Sequence, residues 1–147
     1  MSVRDFIFKS GLWVGEGKVT FSASPNHLRF YTKWSMEEEL DGKFKWLQRV
    51  ELERGESNVY NNFLFFNISE TAFSVELSNE LLGTVQGKGL INQKTIAWEF
   101  KRELEHEGFE GFEVYELQEN GDFMFHAEYS SDDLMRTIVD GRIWRKS

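Results

Sequence analysis

Apolar and polar residues alternate with a period of two along almost the whole chain, the spacing of side chains on a half-buried strand. The first run, about 12–22, sends Trp13, Val19 and Phe21 to one side and Glu16, Lys18 and Thr20 to the other. The second sets Leu28, Phe30, Trp34 and Met36 against Arg29, Lys33, Glu37 and Glu39. The third sets Trp46, Val50 and Leu52 against Lys45, Arg49, Glu51 and Glu53. Further runs fall at about 58–68, around Phe73, Val75 and Leu77, and at 82–91. Others run from Ile96 through Trp98 and Phe100 to Leu104, over 109–118, from Phe123 through Phe125 and Ala127 to Tyr129, and over 134–145. Helical spacing is confined to residues 3–9.

Turn signals separate these runs: Ser24-Pro25-Asn26, Asp41-Gly42, Arg54-Gly55-Glu56, Ser78-Asn79-Glu80, Asn92-Gln93 and Asn120-Gly121. About ten runs of similar length joined by short turns predict an antiparallel up-and-down meander. Its two edges are removed if the last strand pairs with the first, so the expected fold is all-β, a closed barrel. A short N-terminal helical segment precedes it, and residues 1–147 form one domain with no internal linker.

Composition sharpens this picture. A single proline leaves ladder donors intact almost everywhere, and 14 Phe with 5 Trp supply large rigid groups for an interior. The chain has no cysteine, which excludes disulfides and thiolate chemistry. A net charge of -8 argues against nucleic acid and anionic membrane surfaces as partners. No stretch approaches the roughly 20 apolar residues of a membrane span, and the first residues lack a signal-peptide run. A cytoplasmic protein is expected.

Gly11-Leu12-Trp13 at the head of the first strand resembles the opening signature of lipocalins and the wider calycin superfamily. The resemblance implies that Gly11 and Trp13 close the barrel floor and that a late arginine packs across the indole. Arg142 is the expected partner, with Arg136 and Arg145 as alternatives on the same strand. The last strand, with Ala127-Glu128-Tyr129 before it, also resembles uncharacterised lipocalin-like bacterial proteins. Gly11-Leu12-Trp13-Val14-Gly15-Glu16-Gly17 is similar to the opening of nitrobindin-like haem barrels as well. Those use a histidine near the chain end as iron ligand, whereas this chain has none after His126, which the alternation places outside. No cofactor is therefore expected. Phycobilin-attaching lyases share the fold, and their arginine-rich final segment is matched here only by Arg136 and Arg142.

A barrel of eight to ten strands can hold one small ligand. The apolar residues in phase with the interior, among them Trp34, Met36, Trp46, Phe73, Trp98 and Phe100, are the candidate lining. Polar groups in the same phase would orient a head group: Thr32, Gln48, Arg102 and Tyr129. An isolated buried guanidinium is costly, so Arg102 calls for a carboxylate from a ligand or from Glu38 or Glu113; the other expectation is that Arg102 lies at the rim and reaches water. The expected function is non-covalent binding of a small apolar or amphipathic molecule, lipid- or fatty-acid-like. A ligand-free interaction or structural module is the alternative, and a barrel filled with its own aromatics would favour it.

Catalytic and metal constellations are not visible in the sequence. His27, His106 and His126 are scattered, Glu105-His106-Glu107 reads as a solvated loop, and Glu37-Glu38-Glu39 as a charge run. A non-enzyme with no metal is the expectation. Gly83, Gly87 and Gly89 share one face of a strand, where they either let the sheet curve or leave room for a ligand. In Tyr60-Asn61-Asn62-Phe63-Leu64-Phe65-Phe66-Asn67-Ile68 both faces are apolar, which predicts cover by the N-terminal segment, a bulge or a second subunit, hence a homodimer.

Overall fold

The structure is a computed structural model that describes residues 2–22, 24, 26–55, 58–102, 108–131 and 136–146. Ten strands follow a short N-terminal turn: β1 (Leu12–Phe21), β2 (His27–Leu40), β3 (Lys43–Leu52), β4 (Val59–Phe66) and β5 (Ala72–Asn79) form the first half. The second half is β6 (Gly83–Ile91), β7 (Thr95–Arg102), β8 (Phe109–Leu117), β9 (Phe123–Ser131) and β10 (Arg136–Arg145). Each pairs antiparallel with the next, and β10 returns to β1, closing the barrel as the meander requires. The expected closed, all-β barrel is the observed one. No helix among the described residues is long and apolar enough to cross a membrane. Pro25, Glu56, Leu104 and the Glu105-His106-Glu107 segment lie outside the described residues.

Local chemistry explains the connections. Asp41 and Gly42 both take positive φ, 52° and 75°, the paired left-handed geometry of a two-residue hairpin. Asn120-Gly121 is not such a hairpin. β8 ends at Leu117 and β9 begins at Phe123, and the longer loop closes through Gln118 N–H to Asp122 O at 2.8 Å. Asn120 there accepts from the Asp122 amide at 3.0 Å, a local side-chain turn in place of the tight one. In β2 the register slips between Met36 and Glu38, so Glu38 pairs with Lys45 and stands exposed outside the barrel.

The predicted helical segment over 3–9 is shorter than expected. One 3-10 turn, Val3–Asp5, is capped reciprocally by Ser2 and Asp5, and the chain then turns inward. Val3, Phe6 and Ile7, spaced i, i+3, i+4, are buried in the barrel end. Phe6 meets Trp13 at 5.3 Å and Trp34 at 5.2 Å, both edge-on, and Tyr115 at 5.0 Å. The indole N–H of Trp46 donates to Ile7 O at 2.9 Å, and the Arg4 guanidinium donates to Ser69 O and Glu70 O, at 2.8 and 2.9 Å. This segment is a plug, and it does not cover the outer face of β4.

Inner-wall glycines receive rings from the strand next door. Gly89 pairs with Phe73, and a methyl at Gly89 would fall inside the Phe73 ring. Gly17 and Gly141 pair with each other and are overlaid by Phe30 and Phe125, whose rings meet at 6.0 Å. Gly17, Gly89 and Gly141 are thus seats for aromatics, whereas a Cβ at Gly87 would strike the Glu99 carbonyl and one at Gly83 would meet nothing within 4 Å.

Candidate functional site

The two ends of the interior differ. At the plugged end Trp13, Trp34, Trp46, Phe65, Phe73, Ile96, Tyr115, Phe123 and Ile143 are buried side by side. Toward the other end the inward rows continue as Val50 and Leu52 on β3, Asn61 on β4, Asn79 on β5, Arg102 on β7, Tyr129 on β9 and Val139 on β10. Each of these is partly exposed although it points into a closed barrel. The inner wall on that side, a bowl above the buried Trp34, Phe63 and Trp98, is thus less covered by the described residues than the plugged end, although Val19, Phe30 and Phe109 are buried there too.

Two sets of polar groups sit on the bowl. On β2 to β5, Leu82 N–H donates to Asn79 Oδ1 at 2.7 Å, Asn79 Nδ2 to Asn61 Oδ1 at 3.0 Å, and Asn61 Nδ2 to Gln48 Oε1 at 2.9 Å. Gln48 Nε2 then donates to Thr32 Oγ1 at 3.2 Å. Across the barrel, the Glu113 carboxylate accepts from Trp98 Nε1 at 3.0 Å and from the Tyr115 hydroxyl at 2.7 Å. Tyr129 is a third partner for Glu113. Burial pushes the Glu113 carboxyl above its ordinary range, against the opposing pull of these hydrogen bonds. Desolvation, with the Glu113 charge beside it, also raises the Tyr115 phenol well above its usual value.

The structure brings most of the sequence candidates to this interior. Thr32 and Gln48 join in one hydrogen-bonded row, Trp34 and Trp98 form the floor, and Trp46 and Phe73 lie nearer the plug. Phe100 is buried at the wall and Met36 is partly buried near Trp46, its register partner. Arg102 stands toward the mouth, where its Nη1 donates to Leu82 O at 2.5 Å. Of its two suggested carboxylates, Glu38 faces outward, and Glu113 is held by Trp98 and the two tyrosines. Asn61 and Asn79 were not among the candidates.

At the floor, Trp13 is buried and meets Phe6 and Phe123 edge-on, at 5.3 and 5.5 Å. Arg145, not Arg142, lies against Gly11: its guanidinium donates to Ser10 O at 2.9 Å, and a Gly11 Cβ would stand 3.1 Å from its Cζ. Arg142 has the opposite parity. It lies outside, over the Trp144 ring at 4.7 Å, with Asp122 3.6 Å away. His126 is likewise outside, between Asp140 at 2.6 Å and Glu128 at 2.8 Å, and these two hydrogen bonds raise its pKa above 6.5. Arg136 pairs with the same Glu128. Among the described residues no cluster of three metal-binding groups occurs.

Two open grooves lie on the outer wall instead, of about 430 and 520 Å³. The larger is bordered by Ala72, Leu90, Ala97, Phe112 and Val114.

Comparison with known proteins supports the architecture. No protein-family profile matches the chain, and no curated protein matches it by sequence. Solved structures do. The S-type phycobiliprotein lyase CPES of Guillardia theta superimposes with a TM-score of 0.69 at 9% identity, covering 100% of this chain and 94% of its own. Rv2717c of M. tuberculosis superimposes with a TM-score of 0.71 at 8% identity, covering 94% of this chain and 92% of its own. What they share with this chain is the fold. At such identities the likeness is one of fold alone. It nevertheless corrects one expectation: a barrel of this shape carries a lyase in Guillardia theta, so the missing catalytic constellation does not make this chain a non-enzyme.

Proposed function

We propose that the barrel binds a small apolar or amphipathic molecule in its open half, apolar body on the tryptophan and phenylalanine floor, polar part on the inner wall. One observation supports this: the plug fills one end, while at the other the inward Val50, Leu52, Asn61, Asn79, Tyr129 and Val139 stay partly exposed among the described residues and set polar beside apolar groups. The apolar rows of Phe30, Val50, Leu52 and Val139 supply area for a hydrophobic body. Thr32, Gln48, Asn61, Asn79, Tyr129 and Arg102 supply orienting hydrogen bonds.

Native mass spectrometry of freshly purified protein tests this directly, since it reads bound ligand and subunit number together. A panel of amphipaths, with a phycobilin added because a structural neighbour is named a phycobiliprotein lyase, is then titrated against the fluorescence of the interior tryptophans. Saturable quenching by at least one compound is the expected result. A clean apo mass together with no quenching by any of them overturns the proposal. A dimer mass would support the apolar outer face of β4 as a subunit contact.

A further inference from the structure

The row on β2 to β5 is directional. Every hydrogen bond in it runs the same way, from Leu82 N–H through Asn79, Asn61 and Gln48 to Thr32. A carboxamide NH₂ has two N–H groups, and each of Asn79, Asn61 and Gln48 spends one on its neighbour in the row. Among the described residues the second N–H of each finds no acceptor, and neither does the hydroxyl proton of Thr32, which serves as acceptor for Gln48. Asn61 and Asn79 are only half-buried and face the bowl. Residue 82 is held from both sides, its N–H by Asn79 and its carbonyl by Arg102 at 2.5 Å, which fixes the start of the row.

Resting on the container reading above, we infer that this row is the head-group site and that it selects an uncharged carbonyl, such as an amide, over a carboxylate on the same tail. The row contains no cation. It offers several aligned, mutually polarised donors to one acceptor, which is what a neutral carbonyl requires. A carboxylate placed on it would be stripped of water with no opposite charge in the row, and it would share a low-dielectric interior with Glu113 on the facing wall. Among the described residues Arg102 is the inward cation near the row, bonded to Leu82 O beside Asn79, at the end of the row away from Thr32.

The test uses three probes of equal chain length: a medium-chain fatty acid, its primary amide and the parent hydrocarbon, each titrated by tryptophan quenching at neutral pH. The amide is expected to bind about tenfold more tightly than the acid, the equivalent of one good hydrogen bond. Thr32→Val and Gln48→Met are expected to erase that preference, bringing the amide-to-acid affinity ratio to about one. The wild-type ratio needs no variant, so it stands even if a substitution disturbs folding. Acid binding equal to or tighter than amide binding overturns the selectivity, and loss of that acid binding in Arg102→Met would move the head-group site to the rim. Binding of none of the three overturns the container itself, a separate failure from binding all three alike.

Discussion

At the plugged end Phe6, Trp34, Trp46, Phe65, Tyr115 and Phe123 have essentially no exposed surface, whereas the inward Val50, Leu52, Asn61, Asn79 and Tyr129 near the mouth all keep some. The same alternation built both ends. What differs is that residues 2–7 enter one end, whereas no described segment enters the other. Closure of one end by a separate segment lets stability and binding occupy different halves of one sheet. The plugged half is close-packed and sensitive to volume; the open half tolerates polar side chains because water and neighbouring amides satisfy them.

The largest test of this contrast is Phe6→Ala. Loss of a fully buried ring that touches Trp13, Trp34 and Tyr115 should cost about 3–5 kcal/mol. Leu52→Ala, at the mouth, should cost roughly 1 kcal/mol, since only part of its side chain leaves water on folding. Urea unfolding midpoints compare the two, and equal losses would erase the distinction between the ends. Next, Gly89→Ala should cost about 1–3 kcal/mol, because the new methyl collides with the Phe73 ring. Gly89→Ala with Phe73→Leu should recover part of that loss, which thermal melts of the pair would show.

Glu113 supplies a pH-dependent test. Its folded pKa is raised above 4.5, so the protonated carboxyl favours folding. That contribution is complete below about pH 4.5, the unfolded value, and is lost as pH rises through the folded value. Stability measured across this window should fall in the wild type, and Glu113→Gln should flatten the curve. The smallest effect belongs to His126 on the outer wall. Its pKa is raised from 6.5 by Glu128 and Asp140, so its contribution is present below that value and fades as pH climbs past the folded one. The ring is 40% exposed, so solvent screening limits the effect to under about 1 kcal/mol. His126→Gln should remove that slope without touching the bowl.

The sequence foretold the strands closely because alternation with charged outer faces is a strong signal, as in β3, where Trp46 and Gln48 point in and Lys45 and Arg49 point out. The short N-terminal helical segment is there, as a single 3-10 turn, but its place as a plug was not legible: nothing local distinguishes Phe6 inside a barrel from Phe6 on a surface helix. Asn61 escaped notice because apolar residues on both faces of β4 hide its parity, although it is in phase with Phe63 and Phe65. Asn79 was taken for a turn residue, yet it shares a face with Val75 and Leu77. Among the late arginines, Arg142 stands outside over Trp144 while Arg145 lies against Gly11, an odd offset that moves a side chain through the sheet from outside to inside.

The seam between β1 and β10 joins the two extremes of the described chain, with Trp13 set against Arg145. Nothing can take the place of β10 there before it has emerged from the ribosome, so an unfinished chain carries two raw strand edges and an unsealed aromatic interior. Assembly of this barrel is therefore a long-range event, slow by the standards of local folds and exposed to aggregation until β10 has paired with β1.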